Sequence, residues 1–185
     1  MKRSNRYLYF VRHGQYRPSP DGGILTSLGR KQATRTGKRL SGLPFDAVVV
    51  SDLNRAVETH TLAAASMPDA PRAKRSALLR EARPSAFPGI HVSLEDRADG
   101  KARILEILAR YFRPSTRDRY ELYVCHGNLI RTLVGQCLGQ PWTVWKHMGT
   151  SHCGITRFEI RPDGRKVVAS YNDTGHLPHG WITST

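Results

Sequence analysis

The sequence predicts an α/β fold, a three-layer sandwich with a mainly parallel sheet and helices on both of its faces. Three observations carry this expectation. Short continuous apolar runs, the mark of strands buried on both faces, occur at 7–11, 47–51 and 121–125. Stretches with helical periodicity separate them at 26–40, 53–66 and 101–112. Strands that alternate with helices form βαβ units, whose right-handed crossovers impose parallel pairing.

The elements follow in order. Tyr7-Leu8-Tyr9-Phe10-Val11 is a strand that breaks into Arg12-His13-Gly14. A polar loop with Pro18, Pro20, Gly22 and Gly23 comes next. Thr26 is placed to cap a helix running to about Leu40, stopped by Gly42 and Pro44. Ala47 to Ser51 is the second strand, and 53–66 a helix ended by Pro68. Leu78 and Leu79 are expected to close a third short strand before Arg80-Glu81. From Pro84 to Gly100, with Pro84, Pro88 and Gly89, the chain reads as an irregular excursion. Ile104, Leu105, Leu108, Tyr111 and Phe112 lie at helical spacing and are expected in the core. Glu121 to Cys125 is a fourth strand, followed by a helix over 128–138. A hairpin around Pro162-Asp163-Gly164 joins 155–160 to 167–171, and a loop-like tail completes the chain.

The chain has 185 residues, which suits one domain over 1–185 with a core that needs no staples. Its three cysteines, Cys125, Cys137 and Cys153, have no close pairing. That predicts reduced thiols, no structural zinc and a cytoplasmic location. The segment Met1 to Arg6 is too short and polar for a signal peptide. No apolar run approaches the ~20 residues that span a bilayer, so no membrane partner is expected.

Lys and Arg number 29 against 15 Asp and Glu, a net charge of +14. Such an excess draws anions: nucleic acid, acidic proteins or phosphorylated substrates. Aromatic residues do not interleave with the basic runs as a single-strand groove requires. Nucleic-acid binding is therefore set aside as the main function.

Parallel strands bring all their carboxyl ends to one sheet edge, where ligands bind in open α/β folds. His13 follows the first strand, Arg55 the second, Glu81 the third and His126 the fourth. Arginine forks such as those of Arg12 and Arg55 match phosphate oxygens. A neutral histidine can attack phosphorus. A carbonyl near Gly14 that accepts from Nδ1 of His13 would leave Nε2 to do so. Protonated His126 and the arginines would stabilise charge on the equatorial oxygens. Glu81 could protonate the leaving alkoxide and then activate water. Competing readings are an Arg80–Glu81 surface pair and an Arg55–Glu58 pair along the helix. A metal site from His13, His126 and Glu81 is opposed by the charges of Arg12 and Arg55, and no H-E-x-x-H occurs. Cys125 lies within an apolar strand and reads as an inert thiol.

These motifs form a set. Arg12-His13-Gly14 after an apolar strand is joined by Leu25-Thr26-x-x-Gly29-x-x-Gln32-Ala33 and Ser51-x-x-x-Arg55-Ala56-x-Glu58-Thr59. Leu79-Arg80-Glu81 and His126-Gly127-Asn128-x-Ile130-Arg131 complete it. Together they resemble the histidine phosphatase superfamily, with its phosphoglycerate mutase-like fold. The resemblance implies that His13 is phosphorylated and that Arg12 and Arg55 flank the phosphate. It implies His126 as the second histidine, Glu81 as acid and base, and Gln15, Gly127 and Asn128 as substrate contacts. No cofactor or metal is implied. Within the superfamily, Arg12-His13-Gly14-Gln15-Tyr16, Ile160-Arg161-Pro162-x-Gly164-Arg165 and Asp173-Thr174-Gly175-x-x-Pro178 resemble the mitochondrial phosphoglycerate mutase-like Ser/Thr protein phosphatases. Their amino-terminal anchor and assembly segment are expected to be missing here, and the 82–100 excursion differs. A homodimer is kept open.

The expected activity is that of a metal-independent phosphomonoesterase acting through phosphorylated His13. Its substrates would be phosphoserine and phosphothreonine in proteins, or small phosphoesters. Only 44 residues lie between Glu81 and His126, which implies an open, wet site that favours hydrolysis over mutase-type transfer. An acid at position 81 favours esters over phosphohistidine, whose nitrogen leaving group needs less help. A phosphate- or nucleic-acid-binding module without catalysis is the alternative of a different class.

Overall fold

The computed structural model describes residues 4–86 and 91–184. Six strands form the main sheet: β1 (Arg6–Arg12), β4 (Ala47–Ser51), β5 (Lys74–Ser76), β6 (Arg119–Cys125), β7 (Ile155–Ile160) and β8 (Lys166–Asp173). Their order is β5-β4-β6-β1-β7-β8. The pairs β5/β4, β4/β6 and β6/β1 are parallel, whereas β7 and β8 add on antiparallel. A two-stranded ribbon of β2 (Tyr16–Arg17) and β3 (Ile24–Leu25) lies within the loop after β1.

Alternating side chains of the parallel strands feed two cores. Leu8, Phe10, Val49 and Tyr123 face one side, where they meet Ile104 and Ile107 of α3 (Leu94–Tyr111) and Leu129, Ile130 and Leu133 of α4 (Gly127–Cys137). Tyr9, Val11, Val48, Val50, Leu122 and Val124 face the other. There they pack on Leu40 of α1 (Ser27–Leu40) and on Ala56 and Ala63 of α2 (Asn54–Ala64). This is the expected sandwich. Thr26 caps α1 as its position suggests, its side chain accepting from the Gly29 N–H at 3.0 Å.

Three local expectations are corrected. The third strand is Lys74–Ser76, and Ala77–Leu79 is a 3₁₀ turn that buries Leu79. As the edge strand, β5 has one flank in water and needs no apolar run. Leu78 and Leu79 mark the turn that follows it and packs into the core. The excursion expected over 84–100 ends early, because α3 begins at Leu94. Ser93 caps it by accepting from the Asp96 N–H at 3.0 Å. The first turns of α3 leave Leu94 80% exposed, so no apolar face announces them. Pro88 and Gly89 lie outside the described residues. Along the same helix Leu105 is 55% exposed, and Ile107 takes the core position instead.

At the amino-terminal edge of the sheet a buried ion cluster joins β1 to β6. Arg6 donates to Oε2 of Glu121 from Nε at 3.0 Å and from Nη2 at 2.7 Å. The Tyr123 hydroxyl donates to the same oxygen at 2.6 Å, and Arg119 lies 2.9 Å from Oε1.

Candidate active site

The opposite edge of the sheet gathers the residues that the sequence nominates. The chain leaves β1 with the His13 N–H still bonded to the Cys125 carbonyl at 3.0 Å. It then turns sharply at Gly14 against α1. A Cβ at Gly14 would lie 2.7 Å from the Gly29 carbonyl oxygen, and one at Gly29 would strike the Gln15 carbonyl. Both glycines are needed for this backbone approach, which seats His13 deep in the edge.

Hydrogen bonds settle the tautomer of His13. Its Nδ1 lies 2.9 Å from the Gly14 carbonyl, an acceptor only, so Nδ1 carries the proton. Nε2 lies 3.1 Å from Nε of Arg55, a donor only, so Nε2 presents a lone pair. Burial holds the imidazole pKa well below its ordinary value, and the neighbouring His126 and Arg12 push the same way. His13 is thus neutral, with its lone pair directed at the arginine.

Arg55, in the first turn of α2, connects the whole site. Besides Nε on His13, its Nη2 donates to Nδ1 of His126 at 3.0 Å and its Nη1 to the Gly22 carbonyl. Gly22 has φ +91°, a left-handed conformation suited to glycine. The Tyr16 ring packs 4.8 Å below the guanidinium carbon. Glu58 does not pair with Arg55; it binds Arg30 at 2.8 Å and the Leu25 N–H at 2.9 Å.

His126 is fully buried just before α4. Because Nδ1 accepts from Arg55, Nε2 holds the proton and donates to Ser51 Oγ at 2.8 Å. Burial, then the charges of Arg55 and Arg12, lower its pKa well below the ordinary value. Without a bound anion, desolvation and two adjacent guanidinium charges favour the neutral ring. The two histidine rings lie 5.1 Å apart.

Arg12 reaches the Thr150 carbonyl through Nη1 and is buried. It passes so close to α4 that a Cβ at Gly127 would come within 3.2 Å of its Nε. Glu81 does not pair with Arg80, which makes a two-pronged bond to Asp52 at 2.8 Å from each nitrogen. Instead Oε1 of Glu81 accepts the N–H groups of Leu129 and Ala82, each at 3.2 Å. Desolvation raises its pKa against the opposing pull of Arg12 and these N–H groups. A cleft of about 250 Å³ opens beside it, lined by Tyr16, Arg55, Glu81, Arg83, Val92 and Arg103 among others.

The two other nominated side chains are engaged in the frame. Gln15 accepts from Thr26 Oγ1 at 2.7 Å through its carboxamide oxygen. Asn128 accepts from Arg131 Nη2. Cys125 is buried and its thiol pKa is raised by desolvation, which leaves it an inert thiol. Arg55 occupies the nitrogen lone pairs of both His13 and His126, the electrons a metal would require.

His152 was missed. Its ring centre lies 5.7 Å from that of His13, in the loop before β7. Nδ1 lies 2.9 Å from Thr183 Oγ1, and the backbone N–H donates to the Thr183 carbonyl at 2.8 Å. Its Nε2 is buried with no hydrogen-bond partner among the described residues. Desolvation pushes its pKa down to about 3. No apolar strand precedes it, so the strand-end pattern that revealed His13 and His126 gives no signal there.

Known proteins resemble this chain over most of its length. The family model described as histidine phosphatase superfamily (branch 1) matches residues 8–95 and 67–174. The serine/threonine-protein phosphatase PGAM5, mitochondrial, of Mus musculus is 34% identical over 98% of this chain and 67% of its own length. The Caenorhabditis elegans protein of that name is 33% identical over 98% of this chain and 68% of its own length. Among solved structures, a phosphoglycerate mutase from Plasmodium falciparum superposes with TM-score 0.67 at 28% identity, covering 95% of this chain and 96% of that one. A phosphoserine phosphatase from Entamoeba histolytica superposes with TM-score 0.71 at 21% identity, covering 94% and 100%, and shares the fold. The expected cytoplasmic location is corrected, because these relatives are named mitochondrial and cysteine usage does not separate two reducing compartments. Among the described residues, no helix is long and apolar enough to cross a membrane.

Proposed function

The chain belongs to the histidine phosphatase superfamily, branch 1, and we propose that it hydrolyses phosphate monoesters with His13 Nε2 as nucleophile and no metal. The observation that carries this reading is the tautomer of His13: the Gly14 carbonyl and Arg55 together leave a neutral ring with Nε2 unprotonated.

Arg12, Arg55 and His126 surround the position that a phosphoryl group takes on approaching Nε2. Arg55 exchanges its bonds to the imidazoles for bonds to phosphoryl oxygens, which frees the lone pair at the moment of binding. The incoming dianion raises the pKa of His126, so the ring takes a proton from solvent on Nδ1, donates it as a hydrogen bond to a phosphoryl oxygen, and returns it to solvent when phosphate leaves. The Nε2 lone pair attacks phosphorus, the bond to the ester oxygen breaks, and Glu81 transfers its proton to the departing alkoxide. Glu81, now a carboxylate, takes a proton from water as that oxygen attacks the phosphohistidine. The N–P bond breaks, its electrons return to Nε2, and inorganic phosphate leaves. Desolvation of Glu81 keeps its proton available for the first half.

Phosphoserine and phosphothreonine in proteins are the proposed substrates, supported by the names of the relatives. We also propose one domain over 1–185, since β1, β4 and β6 contribute to both cores, and a homodimer. A single cooperative unfolding transition and a mass from light scattering test these two points. The mechanism is tested by His13→Ala, which is expected to abolish turnover of p-nitrophenyl phosphate with the fold intact, while EDTA leaves the wild type unaffected. Retained activity in the variant would sink the covalent route; loss with EDTA would restore a metal.

A further inference from the structure

A second cavity lies far from His13. It occupies about 470 Å³ at the amino-terminal edge of the sheet. Arg6 is on its floor and Arg12 in the active site; six strand steps of ~3.3 Å put about 20 Å between the two ends of β1. The floor is the buried cluster of Arg6, Glu121, Arg119 and Tyr123. Among the described residues that line it, the carboxylates are Glu121, already held by two arginines, and Asp46, which pairs with Arg117 at 2.7 Å and accepts the Tyr120 N–H at 2.9 Å.

The walls are different. Arg72, Lys74 and Arg75, from the approach to β5 and from β5 itself, form one side. Arg110 and Arg113, from the end of α3 and just after it, form the other. Among the described residues none of these five cations has a carboxylate partner. Also among the described residues, the Nε of Arg119 on the floor is a buried donor with no hydrogen-bond partner. All five side chains are exposed to solvent; like charges gathered around one concavity repel, and a bound anion relieves that repulsion. Guanidinium forks suit phosphate oxygens, and the volume matches pockets that hold small ligands of about nucleotide size.

We propose that this cavity is a second anion site that binds a compact ligand carrying two or more phosphate groups. Five cations without a carboxylate within 4 Å among the described residues exceed what one phosphate engages, and they line a concavity where a nucleic-acid surface would be open. The site is separate from the catalytic chemistry, since His13, Arg55 and Glu81 are not among the described residues that line it.

The test uses methylenediphosphonate, whose P–C–P bridge resists hydrolysis, with the full chain in calorimetry at physiological salt. The double variant Lys74→Glu/Arg75→Glu is expected to weaken binding at least tenfold and to leave turnover of p-nitrophenyl phosphate unchanged. Arg110→Glu/Arg113→Glu, on the facing wall, is expected to do the same. Arg35→Glu/Lys38→Glu makes an equal change of charge on α1 and is expected to stay within twofold. Equal weakening by all three pairs would reduce the effect to net charge and overturn the proposal. So would unchanged affinity in either wall variant, which would place all binding in the catalytic pocket. Tighter binding of a single-stranded oligonucleotide, lost in the same wall variants, would make the cavity part of a nucleic-acid surface instead.

Discussion

Glu81→Gln separates the acid from the scaffold. Oε1 of Glu81 accepts the Leu129 and Ala82 N–H groups, and the carboxamide oxygen of glutamine can keep both bonds. The amide nitrogen then replaces Oε2, the oxygen that carries the transferable proton. Geometry is retained and proton transfer is lost. General acid catalysis contributes about 10²–10⁴-fold where the leaving group needs it, or roughly 3–5 kcal/mol of barrier at about 1.4 kcal/mol per decade. A phosphoserine peptide expels a strongly basic alkoxide and is expected to lose that whole factor in kcat/KM. p-Nitrophenyl phosphate expels a stable phenolate and is expected to lose less than about tenfold in kcat/KM. Its second step still needs water activated, so phosphohistidine accumulates, visible as a stoichiometric burst of p-nitrophenol. In the wild type, kcat/KM for the peptide is expected to fall as pH rises through the elevated pKa of Glu81, a limb that the aryl ester lacks. Equal losses on both substrates, with no burst, would refute acid–base catalysis by Glu81 and leave it a cap for α4.

Three further outcomes are expected. His152 titrates at about 3 in the fold against about 6.5 unfolded, so the unfolded chain binds the extra proton and stability falls as pH drops below 6.5. Integrated from pH 7.5 to 5, this amounts to about 2 kcal/mol, and His152→Asn is expected to remove that share of the pH dependence in urea titrations; an unchanged dependence would refute it. Glu121→Ala strands buried Arg6 without its partner and is expected to cost about 3–5 kcal/mol of stability, while turnover per folded molecule stays at the wild-type value. Gly14→Ala drives a Cβ against the Gly29 carbonyl, so it is expected to lower kcat through displacement of His13 even where circular dichroism shows a folded chain; unaltered kcat would show that the turn can yield.

Much of the site was legible because it obeys a local rule. An apolar strand that ends in a short turn is visible in a single stretch of sequence, and parallel pairing sends each such end to the same edge. His13 and His126 obey this rule, Arg55 follows β4 within one helical turn, and Glu81 follows a 3₁₀ turn that the rule reads as a strand. Strand β5 was misplaced because an edge strand has no obligation to be apolar. The start of α3 was missed because its first turns face water, as the exposure of Leu94 shows.

By itself the sequence determined the order of elements, the sandwich and the convergence of the chemistry-bearing residues, all of which follow from hydrophobic periodicity and chain handedness. Only the tertiary structure decided what those residues are once together. Burial, together with the neighbouring guanidinium groups and the bonds from Arg55, keeps both imidazoles neutral in the free site. His152 enters the site from a loop that has no pattern of its own. The cationic cavity at the far edge is assembled from β5, α3 and the strand starts. Protonation, burial and charge balance depend on distances across the fold, and those distances come from packing rather than from spacing along the chain.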